Sequence, residues 1–208
     1  MTALTPLQRI PPHLEIDDFL PADEHARLLA WAIRNRGAME LARIGSGQYA
    51  PGIRNANVLR KDVKPRWKPA LTERIRALVP TLFDRLGVPP VPIHTIETQL
   101  VSYTDGCFVR PHLDTATESG REPTDRMLTA VYYFHREPKP FSGGELRLYP
   151  LSRPPEDAPQ FLDLMPRENS IIAFSSWVPH EVLPVEVPSG RYADSRFAIN
   201  FWVRRAPV

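Results

Sequence analysis

Along the first half of the chain, apolar residues recur at the three- and four-residue spacing of amphipathic helices. The stretch from Pro21 to Arg36 places Leu28, Leu29, Trp31, Ala32 and Ile33 near a helical repeat before Gly37 stops it. A second helical stretch runs from about Pro65 to Leu86, with Leu71, Ile75, Leu78, Leu82 and Leu86 at helical spacing. Pro69 and Pro80 interrupt that pattern and predict a kink or two shorter helices, and Gly87 closes it. Between the two, residues 45–52 form a turn-rich loop, followed by a short strand near Asn57–Leu59. From about residue 93 the pattern switches to short strands separated by turns. The predicted strands cover 96–103, 128–134, 145–149, 170–175, 181–187 and 197–203. Several alternate with period two, as in Glu145-Leu-Arg-Leu-Tyr149. Thr115–Asp125 reads as a polar loop and Ser152–Gln160 as a proline-rich insertion, and no internal repeat is visible.

These elements predict an α+β, mainly β fold: a jelly roll, or double-stranded β-helix, with N-terminal helices packed on one outer face. One domain is expected over residues 1–208, with helical support to about residue 92 and a jelly-roll core over about 93–205. Composition supports a single sizeable core, at 42% hydrophobic and 24% charged, and excludes whole-chain disorder or coiled coil. The 24 prolines against 10 glycines shorten helices and favour strands. Net charge is +2 with both signs interleaved, so nucleic acid and anionic membrane are not expected partners. No apolar run approaches the roughly 20 residues of a membrane span. Residues 1–20 read as lacking a secretory signal, since Pro11, Pro12, Asp17 and Asp18 leave no uninterrupted apolar core. A lone cysteine, Cys107, makes neither an internal disulfide nor a multi-thiolate metal site, and its expected role is packing. The expected location is the cytoplasm.

Three residues suggest metal chemistry: His112 and Asp114 as His-Leu-Asp, and His180, which follows Asp114 by 66 residues. On a strand, positions i and i+2 share a face, so His112 and Asp114 can approach one ion together. Two imidazoles and a carboxylate occupy one face of an octahedron and leave three positions open, the arrangement of non-haem Fe(II) oxygenases. Taken alone, His-x-Asp is more often a surface or hydrogen-bonded pair. The surrounding sequence changes that balance. Tyr103-Thr-Asp-Gly106 leads into the pair, and Ser142-Gly-Gly-Glu-Leu146 makes a glycine-turned hairpin. Ile171-Ile-Ala-Phe-Ser-Ser176 precedes His180, and Arg196 is a single arginine on the apolar run Phe197 to Trp202.

In that order, the stretch from about Ile96 to Val203 resembles the 2-oxoglutarate/Fe(II)-dependent dioxygenases, specifically their prolyl 4-hydroxylase-like branch. The resemblance implies that His112, Asp114 and His180 are the iron ligands. It also implies that Arg196, 16 residues after His180, pairs with the distal carboxylate of 2-oxoglutarate. An arginine suits that task because its planar fork stays charged when buried. Tyr133 aligns with a tyrosine that shares the same carboxylate, while Tyr132 faces the opposite way. Tyr103 matches a pocket-lining tyrosine and Trp202 a tryptophan at the pocket edge, although either ring also suits a core. Gly143 and Gly144 read as turn formers. Arg191 is a second, weaker candidate for the co-substrate, in a longer interval than the oxygen-sensing enzymes have.

The implied cofactor set is Fe(II), 2-oxoglutarate as co-substrate, and O2, with ascorbate as an optional addition. The implied reaction is hydroxylation with release of succinate and CO2. Asp114 argues against the halogenase variant, which lacks this carboxylate. Trp202 stands where the nucleic-acid demethylase branch has a second arginine. The first expected substrate is a prolyl residue of a peptide or protein. The alternatives are a free amino acid or natural-product intermediate and, ranked lower, a non-catalytic metal-containing binding module. The loop 115–125 is a candidate lid, and the sequence leaves oligomeric state open.

Overall fold

The computed structural model describes residues 11–44, 47–115, 125–151 and 160–206. Residues 45–46 of the turn-rich loop, 116–124 of the candidate lid and 152–159 of the proline-rich insertion lie outside the described residues. The strands in chain order are β1 (His13–Ile16), β2 (Met39–Leu41), β3 (Arg54–Asn55), β4 (Asn57–Leu59), β5 (Ile93–Tyr103), β6 (Phe108–His112) and β7 (Arg126–Phe134). They continue with β8 (Ser142–Gly143), β9 (Leu146–Leu148), β10 (Leu162–Leu164), β11 (Ser170–Ser175), β12 (His180–Val182), β13 (Val185–Glu186) and β14 (Arg196–Arg205). Two α-helices, α1 (Ala22–Arg34) and α2 (Trp67–Arg85), complete the set.

Twelve of these strands form a seven-stranded sheet in the order β1-β11-β7-β14-β5-β4-β2 and a five-stranded sheet in the order β10-β9-β12-β6-β3, and β8 pairs with β13. Among the described residues every strand pairing is antiparallel, as β11 with β7 and β12 with β6. This is the jelly roll that the short strands predict. Its two sheets also recruit the first half of the chain. β1, β2 and β4 lengthen the larger sheet and β3 edges the smaller one, so the segment before residue 92 supplies strands as well as helices. Sequence missed β1, β2 and β3 because strands of two to four residues carry too little alternation to register.

The period-two alternation of β7 decides what each sheet face does. Leu128, Ala130, Tyr132 and Phe134 join one apolar cluster with Leu71, Ile75, Val79, Leu82 and Phe83 of α2 and Leu28 and Ala32 of α1. Val131 and Tyr133 belong to a second cluster, between the sheets, with Leu146, Leu148, Phe174 and Val182. Burying a side chain such as Leu82 stabilises the fold by roughly 2 kcal/mol relative to leaving it in water. Neither proline divides α2, which runs unbroken from Trp67 to Arg85. Pro69 falls in the first turn, where no intrahelical partner for its nitrogen is required, and Pro80 lies on the exposed face while Ile75, Val79 and Leu82 on the buried face hold the helix to the core. The helix ends as sequence predicts. Gly87 takes φ +64°, its N–H donates to Asp84 O at 3.2 Å, and Val88 N–H reaches back to Phe83 O at 2.9 Å. Among the described residues no helix is long and apolar enough to cross a membrane.

Candidate metal centre and co-substrate pocket

His112 and His180 are direct cross-strand partners in the register of β6 and β12, which brings their ring centroids to 4.3 Å. Asp114 arrives differently from the sequence expectation. β6 ends at His112, so the i, i+2 rule for a strand does not place the carboxylate. A bend does: Asp114 N–H donates to Ser176 O at 3.0 Å, and Thr129 Oγ1 donates to Asp114 Oδ2 at 2.8 Å. Asp114 Oδ1 then lies 3.7 Å from His112 Nε2, and Oδ2 lies 3.5 Å from His180 Nε2. One ligand atom from each of the three lies within 4.8 Å of the others, the one such metal-competent group among the described residues.

Both imidazoles are oriented through their second nitrogen. His112 Nδ1 donates to Arg110 O at 2.9 Å and His180 Nδ1 to Val178 O at 2.8 Å. That leaves the Nε2 lone pairs facing Asp114, the tautomer a metal requires. Burial, with repulsion from His180, pushes the His112 pKa down to about 4, so the ring is neutral at physiological pH. Burial alone would raise the Asp114 pKa, but the two histidines and the Thr129 hydroxyl outweigh it and hold the carboxyl below its ordinary range. Two imidazoles and one carboxylate form the ligand set of a non-haem Fe(II) site.

The same cavity, about 1070 Å³ in volume, runs from these residues to Arg196, Tyr133 and Tyr103. Register explains the convergence. Arg196 pairs with Tyr103 across β14 and β5, while Tyr133 pairs with Ala198, two residues along on the same face. The small Ala198 keeps this face open between the two tyrosines. Arg196 is 1% exposed, with its guanidinium 4.5 Å from the Tyr103 ring centroid and 4.8 Å from that of Tyr133. Its Nε and Nη1 and the Tyr133 hydroxyl are buried without a hydrogen-bond partner of standard geometry among the described residues. Gly144 is needed for this placement: at φ +73°, a Cβ there would stand 2.7 Å from Arg196 Cδ. Gly144 therefore seats the arginine as well as forming the turn.

Burial raises the Tyr133 pKa, so the phenol stays protonated and can donate. A buried cation left with unpaired donors beside a phenol donor is costly unless an anion enters. The donor set therefore fits one carboxylate of a dicarboxylate, just as the His-Asp-His set fits a divalent metal.

The remaining sequence candidates separate cleanly. Tyr132 faces the helices, as expected. Arg191 is ion-paired to Asp194 at 2.8 Å and does not line the cavity. Trp202 does line it, 8% exposed, with the Arg126 guanidinium 4.1 Å from its ring centroid. Cys107 packs in the cluster between the sheets, its pKa raised by burial. Sequence reading missed Thr129, which anchors Asp114. The signal was present: 129, 131 and 133 share one face of β7 at period two. It also missed Arg54, whose Nη2 donates to Gln99 Oε1 at 2.9 Å at the cavity wall. Only the pairing of β3 with β6 brings that residue there.

Comparison with known proteins agrees with this geometry. The pattern of the 2OG-Fe(II) oxygenase superfamily matches residues 98–204, and the chain belongs to that family. Fe(II), 2-oxoglutarate and O2 are the cofactors that membership carries. The chain is 37% identical over 194 residues to an uncharacterized PKHD-type hydroxylase of Synechocystis, covering 92% of this chain and 62% of that protein. It thus spans less than two thirds of that relative's length. Among solved structures it is similar to a Pseudomonas putida prolyl-4-hydroxylase, at TM-score 0.68 and 25% identity over 94% of each chain. A Trichoplax adhaerens prolyl hydroxylase, solved with a peptide fragment of the hypoxia inducible factor oxygen degradation domain, shares the fold. Its TM-score is 0.67 at 20% identity, over 92% of this chain and 83% of that one.

Proposed function

We propose that the protein is a 2-oxoglutarate-dependent hydroxylase acting on a prolyl residue of a peptide or protein, with residues 1–208 forming one domain. In this reading His112, Asp114 and His180 hold Fe(II). Arg196, with the protonated Tyr133 hydroxyl, holds the distal carboxylate of 2-oxoglutarate against the Tyr103 ring. When bound, iron and 2-oxoglutarate supply the oxidation of a substrate C–H bond by O2, with succinate and CO2 as co-products. The protein's own residues orient and select. Arg110 O and Val178 O fix the imidazoles, Thr129 fixes the carboxylate, and Ala198 and Gly144 make room beside the guanidinium.

The single observation that carries the proposal is that one cavity holds both the His-Asp-His group and a buried arginine with two nitrogens, Nε and Nη1, left without a partner. Arg126, on the same cavity wall, is by contrast paired with the carboxylate of Glu97 at 2.5 Å. The prolyl substrate is supported by the similarity to the Pseudomonas prolyl-4-hydroxylase along nearly the whole of both chains.

The test is succinate formation and mass-spectrometric detection of a 16 Da gain on proline-containing peptides, set against free amino acids. Turnover of peptides that stops with His112→Ala, in a protein of unchanged circular dichroism, is the expected result. Turnover of free amino acids alone would contradict the peptidyl substrate. No turnover and no 2-oxoglutarate binding would contradict the enzyme reading itself.

A further inference from the structure

Cations scattered from residue 43 to residue 110 converge on the mouth of the cavity: Arg43, Arg54, Lys61, Lys64, Lys68 and Arg110 all line it. In the larger sheet β2 pairs with β4 and β4 with β5; the segment from β4 to α2 carries Lys61 and Lys64, and Lys68 lies in the first turn of α2. Interleaved in sequence, these charges are gathered in space. The carboxylates lining the same cavity among the described residues are Glu40, Glu97 and Asp114. Glu97 is already clamped by Arg126 and Arg204, and Asp114 faces the two histidines.

The mouth cations are engaged mostly by neutral groups. Lys64 Nζ donates to Lys61 O at 3.0 Å and Lys68 Nζ to Thr98 O at 3.5 Å, and the Arg110 guanidinium lies 4.6 Å from the Phe108 ring centroid. Arg54 donates to Gln99 while its Nε is buried without a partner. Between these charges, Leu41, Ile53 and Leu113 stand 51%, 50% and 37% exposed on the cavity wall.

We propose that this mouth is a recognition groove for an acidic peptide segment, in which Asp or Glu residues flank the target proline. The proposal rests on the prolyl reading above and names the class of peptide it acts on. Like charges focused by a low-dielectric cleft raise the local concentration of anionic ligand and hasten its arrival. The exposed leucines and isoleucine give apolar side chains of the same segment somewhere to lie. A nucleic acid fits less well. Single strands bind through rings free to stack, whereas Trp67 is set edge-on against Trp31 at 5.7 Å and Trp202 is covered by Arg126.

The experiment uses matched peptides with one proline flanked by Glu, Gln or Lys. Fluorescent versions with that proline replaced by alanine are titrated anaerobically onto the Fe(II)- and 2-oxoglutarate-loaded protein. The variant is Lys64→Glu combined with Lys68→Glu. Neither side chain is in the metal or co-substrate site, and a glutamate at 68 falls in the first turn of α2, where the helix dipole favours it.

The Glu-flanked peptide is expected to bind about tenfold or more tightly than the Gln-flanked one. That margin shrinks at 0.5 M salt, and in the double variant it turns toward the Lys-flanked peptide. Preferential binding of the acidic peptide without hydroxylation of its proline version would uphold the groove and overturn the prolyl reading. Hydroxylation of all three proline peptides with equal KM would do the reverse. An oligonucleotide that displaces the acidic peptide and binds more tightly would overturn the groove proposal in favour of nucleic acid.

Discussion

On the helix-covered face of the larger sheet, the Tyr132 hydroxyl donates to Asn169 Oδ1 at 2.8 Å and is also hydrogen-bonded with His25 Nδ1 at 2.7 Å. On the cavity face, the hydroxyl of its neighbour Tyr133 has no partner of standard geometry, and neither do two nitrogens of Arg196 beside it. Both tyrosines are at most 1% exposed, and in both burial raises the pKa of the phenol. The two neighbouring tyrosines therefore differ: the hydroxyl on the helix side has both partners, and the one on the cavity side has none of standard geometry. The helix side holds α1 to the turn before β11, since Asn169 also bonds the backbone of Leu20. What sets the cavity side apart is that its open hydroxyl stands beside a buried guanidinium with two open nitrogens, a donor set that an anionic ligand would complete.

Substitutions break this comparison most sharply at the metal end. Asp114→Ala is expected to reduce Fe(II) affinity and succinate formation by more than the roughly 10–100-fold that loss of an outer partner costs. Thr129→Val, which removes such a partner, should fall within that range, as anaerobic metal titration would show. Arg196→Met comes next. Loss of one half of a buried charge pair should weaken 2-oxoglutarate binding by about 2–5 kcal/mol, measured by calorimetry. The same change leaves the ligand-free protein as stable or more stable, because an unpaired buried cation is gone.

The tyrosines sharpen the contrast further, because the two conservative changes should move different observables. Tyr132→Phe is expected to cost about 1–3 kcal/mol in denaturant unfolding, with the KM for 2-oxoglutarate unchanged. Tyr133→Phe should leave stability alone and raise that KM by the few-fold equivalent of about 1 kcal/mol.

A last effect, on the metal-free protein, is on pH dependence. His112 has a folded-state pKa of about 4, below its value of 6.5 when unfolded, so the unfolded chain binds more protons between those limits. Stability of the metal-free protein should therefore fall as pH drops from 6.5 towards 4. His112→Ala should flatten that part of the Tm profile.

Much of this was legible in the sequence, for reasons that can be named. The family resemblance set Tyr133 and Arg196 on one carboxylate, and the two-residue period of a strand then turned Tyr132 to the other face; β7 and β14 are apolar on both faces and show no polar–apolar alternation of their own. The spacing of Leu71, Ile75 and Leu82 with Gly87 marked α2 and its end, although Pro80 wrongly suggested a break. Spacing could not show how the site closes. The direct pairing of His112 with His180 is a register between strands far apart in the chain. Asp114 is positioned by Ser176 and Thr129 rather than by strand geometry. Gly144 read as a turn former because nothing local reveals that Arg196 passes beneath it. The basic mouth was invisible for the same reason: net charge and its spread along the chain say nothing of which residues the fold gathers.

The central claim is that one cavity holds a metal at His112, Asp114 and His180 and a dicarboxylate against Arg196. Anaerobic titration of metal-free protein with Fe(II) and then 2-oxoglutarate, followed by visible absorption, tests it most directly. The account predicts a weak charge-transfer band that needs both additions, saturates, and requires far more 2-oxoglutarate in the Arg196→Met protein. A folded, metal-free protein that gives no band, or one whose co-substrate affinity is indifferent to Arg196, would contradict it.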